Sequence, residues 1–165
     1  MRKVILSVAL SLDGFIEGSK GEYDWCPPPS AKEMKAFMDG IDTIFVGRKS
    51  FELIGKNSFP GKKLYVFSKT IDSNQKGISV ISKDVTSTVK SIKKEKGKDV
   101  WLFGGANLTT TFLNENLIDE LWLGIVPVVL GDGKPLFQNI SQRHYFTIAQ
   151  STSSEGYLSV KLKRK

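Results

Sequence analysis

The chain has 165 residues, 40% of them hydrophobic, and a formal charge of +7, which is enough for one core burying roughly 70% of the unfolded surface. No apolar run approaches the ~20 residues of a membrane span, and Met1-Arg2-Lys3 leads into alternation, not into a signal peptide, so one cytoplasmic domain over 1–165 with no membrane partner is expected. A lone cysteine, Cys26, excludes an internal disulfide, and a lone histidine, His144, excludes a zinc-type cluster.

The first stretch, VILSVALSL, sets Val4, Leu6, Val8, Leu10 and Leu12 on one face and Ile5, Ser7, Ala9 and Ser11 on the other, as a strand does. Asp13-Gly14 follows with turn chemistry, although Asp13 also stands where an acid at a strand mouth could act. Ala31, Met34, Phe37, Met38 and Ile41 then keep helical spacing up to Gly40, and Ser30-Ala31-Lys32-Glu33 reads as a capping box. DTIFVG is a second strand, RKSFELI a short helix, and KKLYVFS and ISVI are further strands.

Asp84 is placed to cap the next helix, where Val85, Val89 and Ile92 form an apolar stripe and the lysines of KSIKKEKGK coat the solvated face. Those lysines and the tail KLKRK hold much of the positive charge. With no RNA-binding aromatic signature or finger motif beside them, a nucleic-acid partner is not expected. DVWLFGG is a strand running into a helix at FGGANLTTTFL, and DELWLGIVPVV extends the sheet. HYFTIAQ and GYLSVKLK form a closing hairpin around Ser151 to Gly156. The alternation predicts a three-layer α/β fold with an antiparallel C-terminal edge.

Bare backbone at Gly104-Gly105 serves either a turn or an anion. A helix start offers unpaired N–H groups and partial positive charge, and the absence of a Cβ lets a phosphate approach. Two more strand ends carry similar chemistry: Gly47-Arg48-Lys49-Ser50 opens a helix, and Ser68-Lys69-Thr70 follows LYVF. If the strands are neighbours, their ends form one ligand edge suited to an extended, multiply charged molecule such as a dinucleotide. A Rossmann G-x-G-x-x-G, a complete P-loop and a G-x-S-x-G elbow are all missing.

VALSLDGFI, DW before prolines and a helix, VGRKSFE, VFSK and FGGANLTTTFL follow the order and spacing of dihydrofolate reductase-like proteins, and the resemblance covers almost the whole chain. SLDG and GGANLTTTFLNENLIDELWLGIVPVVLGDGKPLF resemble more closely the C-terminal reductase domain, RibD C-terminal, of the riboflavin-biosynthesis deaminase-reductase. The resemblance implies a dihydrofolate reductase-like three-layer α/β/α fold with a mixed, mostly parallel sheet. It also implies NADPH as cofactor and hydride transfer to a small heterocyclic, pyrimidine- or pterin-like substrate.

By matching motifs, Gly104, Gly105, Ala106, Asn107 and Leu108 would lie along the pyrophosphate and Arg48, Lys49 and Ser50 would face phosphate, with Gly47, Phe103 and Thr109 as further cofactor contacts. Phe67, Ser68 and Lys69 would face the adenosine ribose and its 2′-phosphate, while Ala9, Asp13 and Ile16 would flank the nicotinamide. In the folate enzymes the paired glycines share a cis peptide. Asp13 and Glu33 are the candidate catalytic acids, Glu33 having the cap as its competing role. Trp25, Phe37 and Phe51 are candidate substrate contacts, with core packing the alternative for Trp25 and Phe51.

On the substrate side the pattern departs. Ala31 stands where folate reductases keep a substrate-binding carboxylate, and Ser7 where riboflavin reductases place a lysine. The deaminase motifs are absent. Related reductases pair, and the long apolar strand Leu121 to Gly131 would benefit from cover, so a homodimer is expected. Folate reduction and nucleotide binding without catalysis stand as alternative functions.

Overall fold

A computed structural model describes residues 1–72, 74, 76–154 and 156–165. Strands and helices follow in the order β1 (Val4–Ser11), β2 (Phe15–Glu17), α1 (Ala31–Asp39), β3 (Ile41–Gly47), α2 (Arg48–Ile54), β4 (Lys63–Phe67), β5 (Ser79–Ile81), α3 (Val85–Lys94), β6 (Asp99–Gly104), α4 (Ala106–Asn114), β7 (Glu120–Val126), β8 (Lys134–Pro135), β9 (Phe146–Ser154) and β10 (Tyr157–Arg164). Eight strands form one sheet in the order β5-β4-β3-β6-β1-β7-β10-β9, parallel as far as β7 and antiparallel from there on. β2 and β8 form a separate antiparallel pair. The mixed, mostly parallel α/β/α architecture is the dihydrofolate reductase-like one.

The two faces of β1 carry two cores. Val4, Leu6 and Leu10 join Phe45, Leu102, Val89, Ile92 and Phe112 under α3 and α4. Ile5 joins Ile44, Val46, Trp101 and Phe51 on the side of α1 and α2. On the first side the wholly buried Phe45 ring meets Tyr65, Phe67 and Phe112 at centroid distances of 5.7, 5.3 and 5.7 Å. Their tilted and edge-on contacts lock the sheet to α4.

Four expectations need correction. Asp84 occupies the position before α3 but is left-handed (φ 50°), and its side chain makes no capping bond; instead its carbonyl accepts from the Ser87 hydroxyl and the Thr88 amide. The lysine face of α3 is not wholly solvated, because Lys93 is buried and paired with Asp119 at 2.7 Å. β7 is no exposed strand in need of cover, since β1 and β10 flank it and the sheet ends at β5 on one side and β9 on the other. The closing hairpin turns later than expected: β9 runs to Ser154 and pairs with Tyr157, and Glu155 lies outside the described residues.

At the edge where the strands begin, polar groups are tied by long-range contacts. Arg2, 4% exposed, donates to Asp42, to Thr43 Oγ1 at 2.6 Å and to the Lys98 carbonyl at 2.5 Å. Sequence periodicity contains no signal for this burial. Beside the C-terminal strand, His144 Nδ1 lies 3.4 Å from Arg164 Nη1, and His144 Nε2 is shielded from solvent. Burial first, and then the neighbouring guanidinium, hold this imidazole below its usual 6.5.

Phe45→Ala should cost about 3–5 kcal/mol, read from chemical denaturation, because three aromatic partners would lose their common contact. His144 sets a pH dependence. Its folded pKa lies below the unfolded value of 6.5, so on acidification the unfolded chain takes the proton first. Stability should therefore fall as pH drops through about 6.5 and level off once the folded imidazole also protonates. Urea midpoints at pH 7.5 and 5.5 should differ less in His144→Gln than in the wild type.

Candidate active site

β3 and β6 are adjacent parallel strands, with Val46 opposite Gly104, so the helices that follow them begin side by side. The contact is close: a Cβ built on Gly47 would lie 3.4 Å from the Gly105 nitrogen and 3.6 Å from the Gly104 oxygen. One on Gly105 would come within 3.1 Å of Ser50 Oγ. Gly104 has φ +121°, a conformation side chains rarely adopt, and the Gly104-Gly105 peptide is cis. Neither Gly47 nor Gly105 supplies a capping side chain, which leaves the first amides of α2 and α4 directed toward this edge.

Ser68 directly follows β4, which lies next to β3, and its buried hydroxyl oxygen accepts from the amides of Thr70 and Ile71 at 3.1 Å each. Lys69, Lys49 and Arg48 are exposed, and the Arg48 guanidinium holds Glu52 at 2.9 Å. Asn107 accepts from Gln138 at 2.7 Å. Thr109 is 1% exposed and its hydroxyl has no partner among the described residues. Phe67 and Ala106 are buried, and Leu108 and Ile16 pack on the α3–α4 core.

A second feature lies on the α1 side of the sheet. Ala9 pairs with Gly124, and Gly124 with Ser159, so these small residues share one face, as do Ser7, Trp122 and Lys161 one step along. Ser7, Ala9 and Gly124 are all partly exposed there. Phe37 wedges against Trp101 and Trp122 at 5.3 and 5.2 Å, Phe103 meets Trp101 edge-on at 4.9 Å, and Lys161 sits 4.0 Å over Trp122. Phe51, by contrast, is 7% exposed and belongs to the core of this layer. Trp25 is half-buried and donates to the Glu22 carbonyl at 3.3 Å.

The two candidate acids are both engaged. Asp13 lies in a turn closed by the Gly14 amide on the Ser11 carbonyl, with Gly14 at φ +88°. Its carboxylate accepts from the Ser11 hydroxyl (2.6 Å) and from the amides of Leu130 and Gly131, tying two loops together. Those donors, the hydroxyl foremost, hold Asp13 below the ordinary carboxylate range. Ser30 caps α1 by accepting from the Glu33 amide (3.1 Å), but the Glu33 carboxylate turns to the Tyr157 hydroxyl at 2.8 Å. The phenol first, then Ser30, lowers the Glu33 pKa. Tyr157 had no local signal: it comes from the C-terminal hairpin, 124 residues away.

A shallow recess of about 560 Å³ bounded by Lys56, Phe59, Lys62 and Gly77 lies at the edge where β4 and β5 start. None of the expected site residues lines it. Among the described residues, no group of His, Cys, Asp and Glu is arranged to hold a metal.

The model of the RibD C-terminal domain matches residues 2–160. The uncharacterized protein YyaP of Bacillus subtilis (strain 168) is 46% identical over 157 residues, covering 86% of this chain and 84% of that one. A solved structure described as a putative riboflavin biosynthesis protein from Shewanella sp. PV-4 superposes with a TM-score of 0.84 at 25% identity, covering 99% of both chains. The dihydrofolate reductase of Enterococcus faecalis, solved in complex with NADP(H), superposes with a TM-score of 0.73 at 17% identity, covering 99% of this chain and 96% of that one. The chain therefore belongs to the RibD C-terminal domain family of dihydrofolate reductase-like reductases.

Proposed function

We propose that this protein is an NADPH-dependent reductase acting on a pyrimidine- or pterin-like ring, with the reductase step of riboflavin biosynthesis, on 5-amino-6-(5-phosphoribosylamino)uracil, as its nearest analogue. The observation that carries the reading is the contact between Gly47 and Gly104-Gly105, where two helix starts meet with no side chain between them. The donors present fit a pyrophosphate: backbone amides of α2 and α4, the Ser50 hydroxyl, and exposed Arg48 and Lys49. Ser68 and Lys69 fit the 2′-phosphate that distinguishes NADPH from NADH.

NADPH would supply a hydride from its nicotinamide ring. The protein's share is orientation: Ala9 and Gly124 leave a flat floor, while Phe37, Phe103 and Trp122 surround it with apolar surface. Asp13 and Glu33 are both biased toward the ionised form by the hydroxyls and amides they accept from, so at neutral pH they act as hydrogen-bond acceptors. The same bias supports, as a second reading, a nucleotide-binding protein without turnover. Ala31 argues against folate as the natural substrate.

On this reading the protein works in the cytoplasm as a homodimer. β9 is the surface for pairing, being a free edge of nine residues with no charged side chain in Phe146–Ser154. Sedimentation at micromolar concentration should give twice the 18.3 kDa chain mass; a monomer would remove this part of the proposal.

Calorimetric titration tests the cofactor. Gly105→Ala should weaken NADPH and NADH alike, because the new Cβ presses on Ser50 at 3.1 Å and narrows the cradle. Lys69→Ala should cost NADPH about 10- to 150-fold and leave NADH nearly unchanged, the range for one charge-assisted hydrogen bond. Undiminished binding of both cofactors by Gly105→Ala would make the glycines a turn and nothing more.

A further inference from the structure

Asp-Gly pairs occur at Asp13-Gly14, Asp39-Gly40 and Asp132-Gly133. Such a pair is chemically special because glycine has no Cβ to shield its nitrogen, which can therefore reach the preceding carboxyl carbon and close a five-membered imide. In the sequence the three are alike. In the fold they are not.

The Gly14 amide donates to the Ser11 carbonyl at 3.0 Å, and the Asp13 carboxylate is held by the Ser11 hydroxyl and the amides of Leu130 and Gly131. The Gly40 amide donates to the Phe37 carbonyl at 3.0 Å, and the Asp39 carboxylate is held by Lys35 Nζ at 2.7 Å. The Ser11 hydroxyl at Asp13 and the Lys35 ammonium at Asp39 keep both carboxyls below their ordinary range, and an ionised carboxylate does not readily give up an oxygen. At the third pair the Gly133 amide donates to Asp132 Oδ1 itself, at 2.8 Å, and that exposed carboxyl has no other partner among the described residues. Nucleophile and target stand together.

We propose that Asp132-Gly133 is a site of spontaneous isomerisation to isoaspartate, while the fold protects the pairs at Asp13 and Asp39. The Gly133 nitrogen loses its proton and bonds to Asp132 Cγ, a Cγ–O bond breaks, and that oxygen leaves as water. A second water then adds at the main-chain carbonyl carbon of Asp132, whose bond to the Gly133 nitrogen breaks. The chain now runs through Cβ and Cγ, and the former main-chain carboxyl is free. One water leaves and one enters, with no oxidant or cofactor. The freed carboxylate is the group that a protein-repair carboxyl methyltransferase labels, with S-adenosylmethionine as methyl donor.

The lengthened backbone cannot be absorbed between its anchors. After the turn, Lys134 Nζ lies 3.1 Å from Glu17, and a Cβ on Gly133 would fall 2.3 Å from the Glu17 carbonyl oxygen. β8 leads directly into Leu136, which is 1% exposed and donates its amide to the Gly14 carbonyl at 2.9 Å. Before the turn, only the exposed Asp13 carboxylate holds the amides of Leu130 and Gly131. That clamp is the one that yields.

The test is to hold the purified protein at neutral pH and to map isoaspartate by peptide, using the methyltransferase and labelled S-adenosylmethionine. In the folded protein label should accumulate at Asp132 at least about tenfold faster than at Asp13 or Asp39, a barrier difference of about 1.4 kcal/mol. In concentrated urea the three rates should converge. Asp132→Glu keeps the charge but cannot close a five-membered imide, so it should retain the wild-type urea midpoint and lose the label at this position. Amide exchange at Leu130 and Gly131 should be faster in aged than in fresh wild type, and unchanged on ageing in Asp132→Glu. Equal rates at the three pairs in the folded protein, or no label at Asp132, overturn the inference. Label at Asp132 with unchanged exchange at Leu130 and Gly131 overturns release of the clamp. No cofactor or turnover enters these measurements, so their outcome is independent of the reductase reading.

Discussion

Everything at the ligand edge depends on the close approach of two strand ends. β3 and β6 run parallel and adjacent, and each must hand the chain to a helix on the opposite side of the sheet from the other. A Cβ on Gly47 would touch the Gly105 nitrogen and the Gly104 oxygen at 3.4 and 3.6 Å, one on Gly105 would press on Ser50 Oγ at 3.1 Å, and Gly104 holds a φ of +121° that side chains rarely adopt. The same bareness is what the proposed phosphate contacts to the first amides of α2 and α4 rely on.

The two faces of the sheet divide the work. Under α3 and α4 the sheet is closed by large rings around Phe45, and long-range ion pairs such as Lys93–Asp119 fasten its lower margin. On the α1 side the central strands change to small residues at Ser7, Ala9, Gly124 and Ser159. α1 itself buries none of its residues fully. Phe37, set between Trp101 and Trp122, and Met38 pack the helix against the core of this layer.

The expected acids show how environment sets role. Asp13 and Glu33 differ in place, one at a strand mouth and one in the first turn of a helix, yet each receives hydrogen bonds that stabilise its charge. A carboxyl group suited to giving up a proton at neutral pH needs the opposite surroundings, dry and without donors. In this protein the carboxylates hold things in place: Asp13 joins the loops after β1 and β7, and Glu33 joins α1 to the C-terminal hairpin.

Alternation in VILSVALSL, helical spacing from Ala31, the Ser30 cap and the strand-glycine-helix junctions were all legible in the sequence, because each depends on neighbours within four or five residues. The family resemblance rested on the same local motifs. Strand order was not legible: β7 has the apolar composition of a strand needing cover, and only the antiparallel return of β10 makes it central and leaves β9 at the edge. Nor did composition distinguish Lys93, buried against Asp119, from the solvated lysines around it, or mark Arg2 as an interior residue. The meeting of Glu33 with Tyr157 is the extreme case, since a contact across 124 residues exists only through the register of β10 on β7 and the seating of α1 over both. Local chemistry determined what each segment could be; long-range pairing and burial decided which side chains meet.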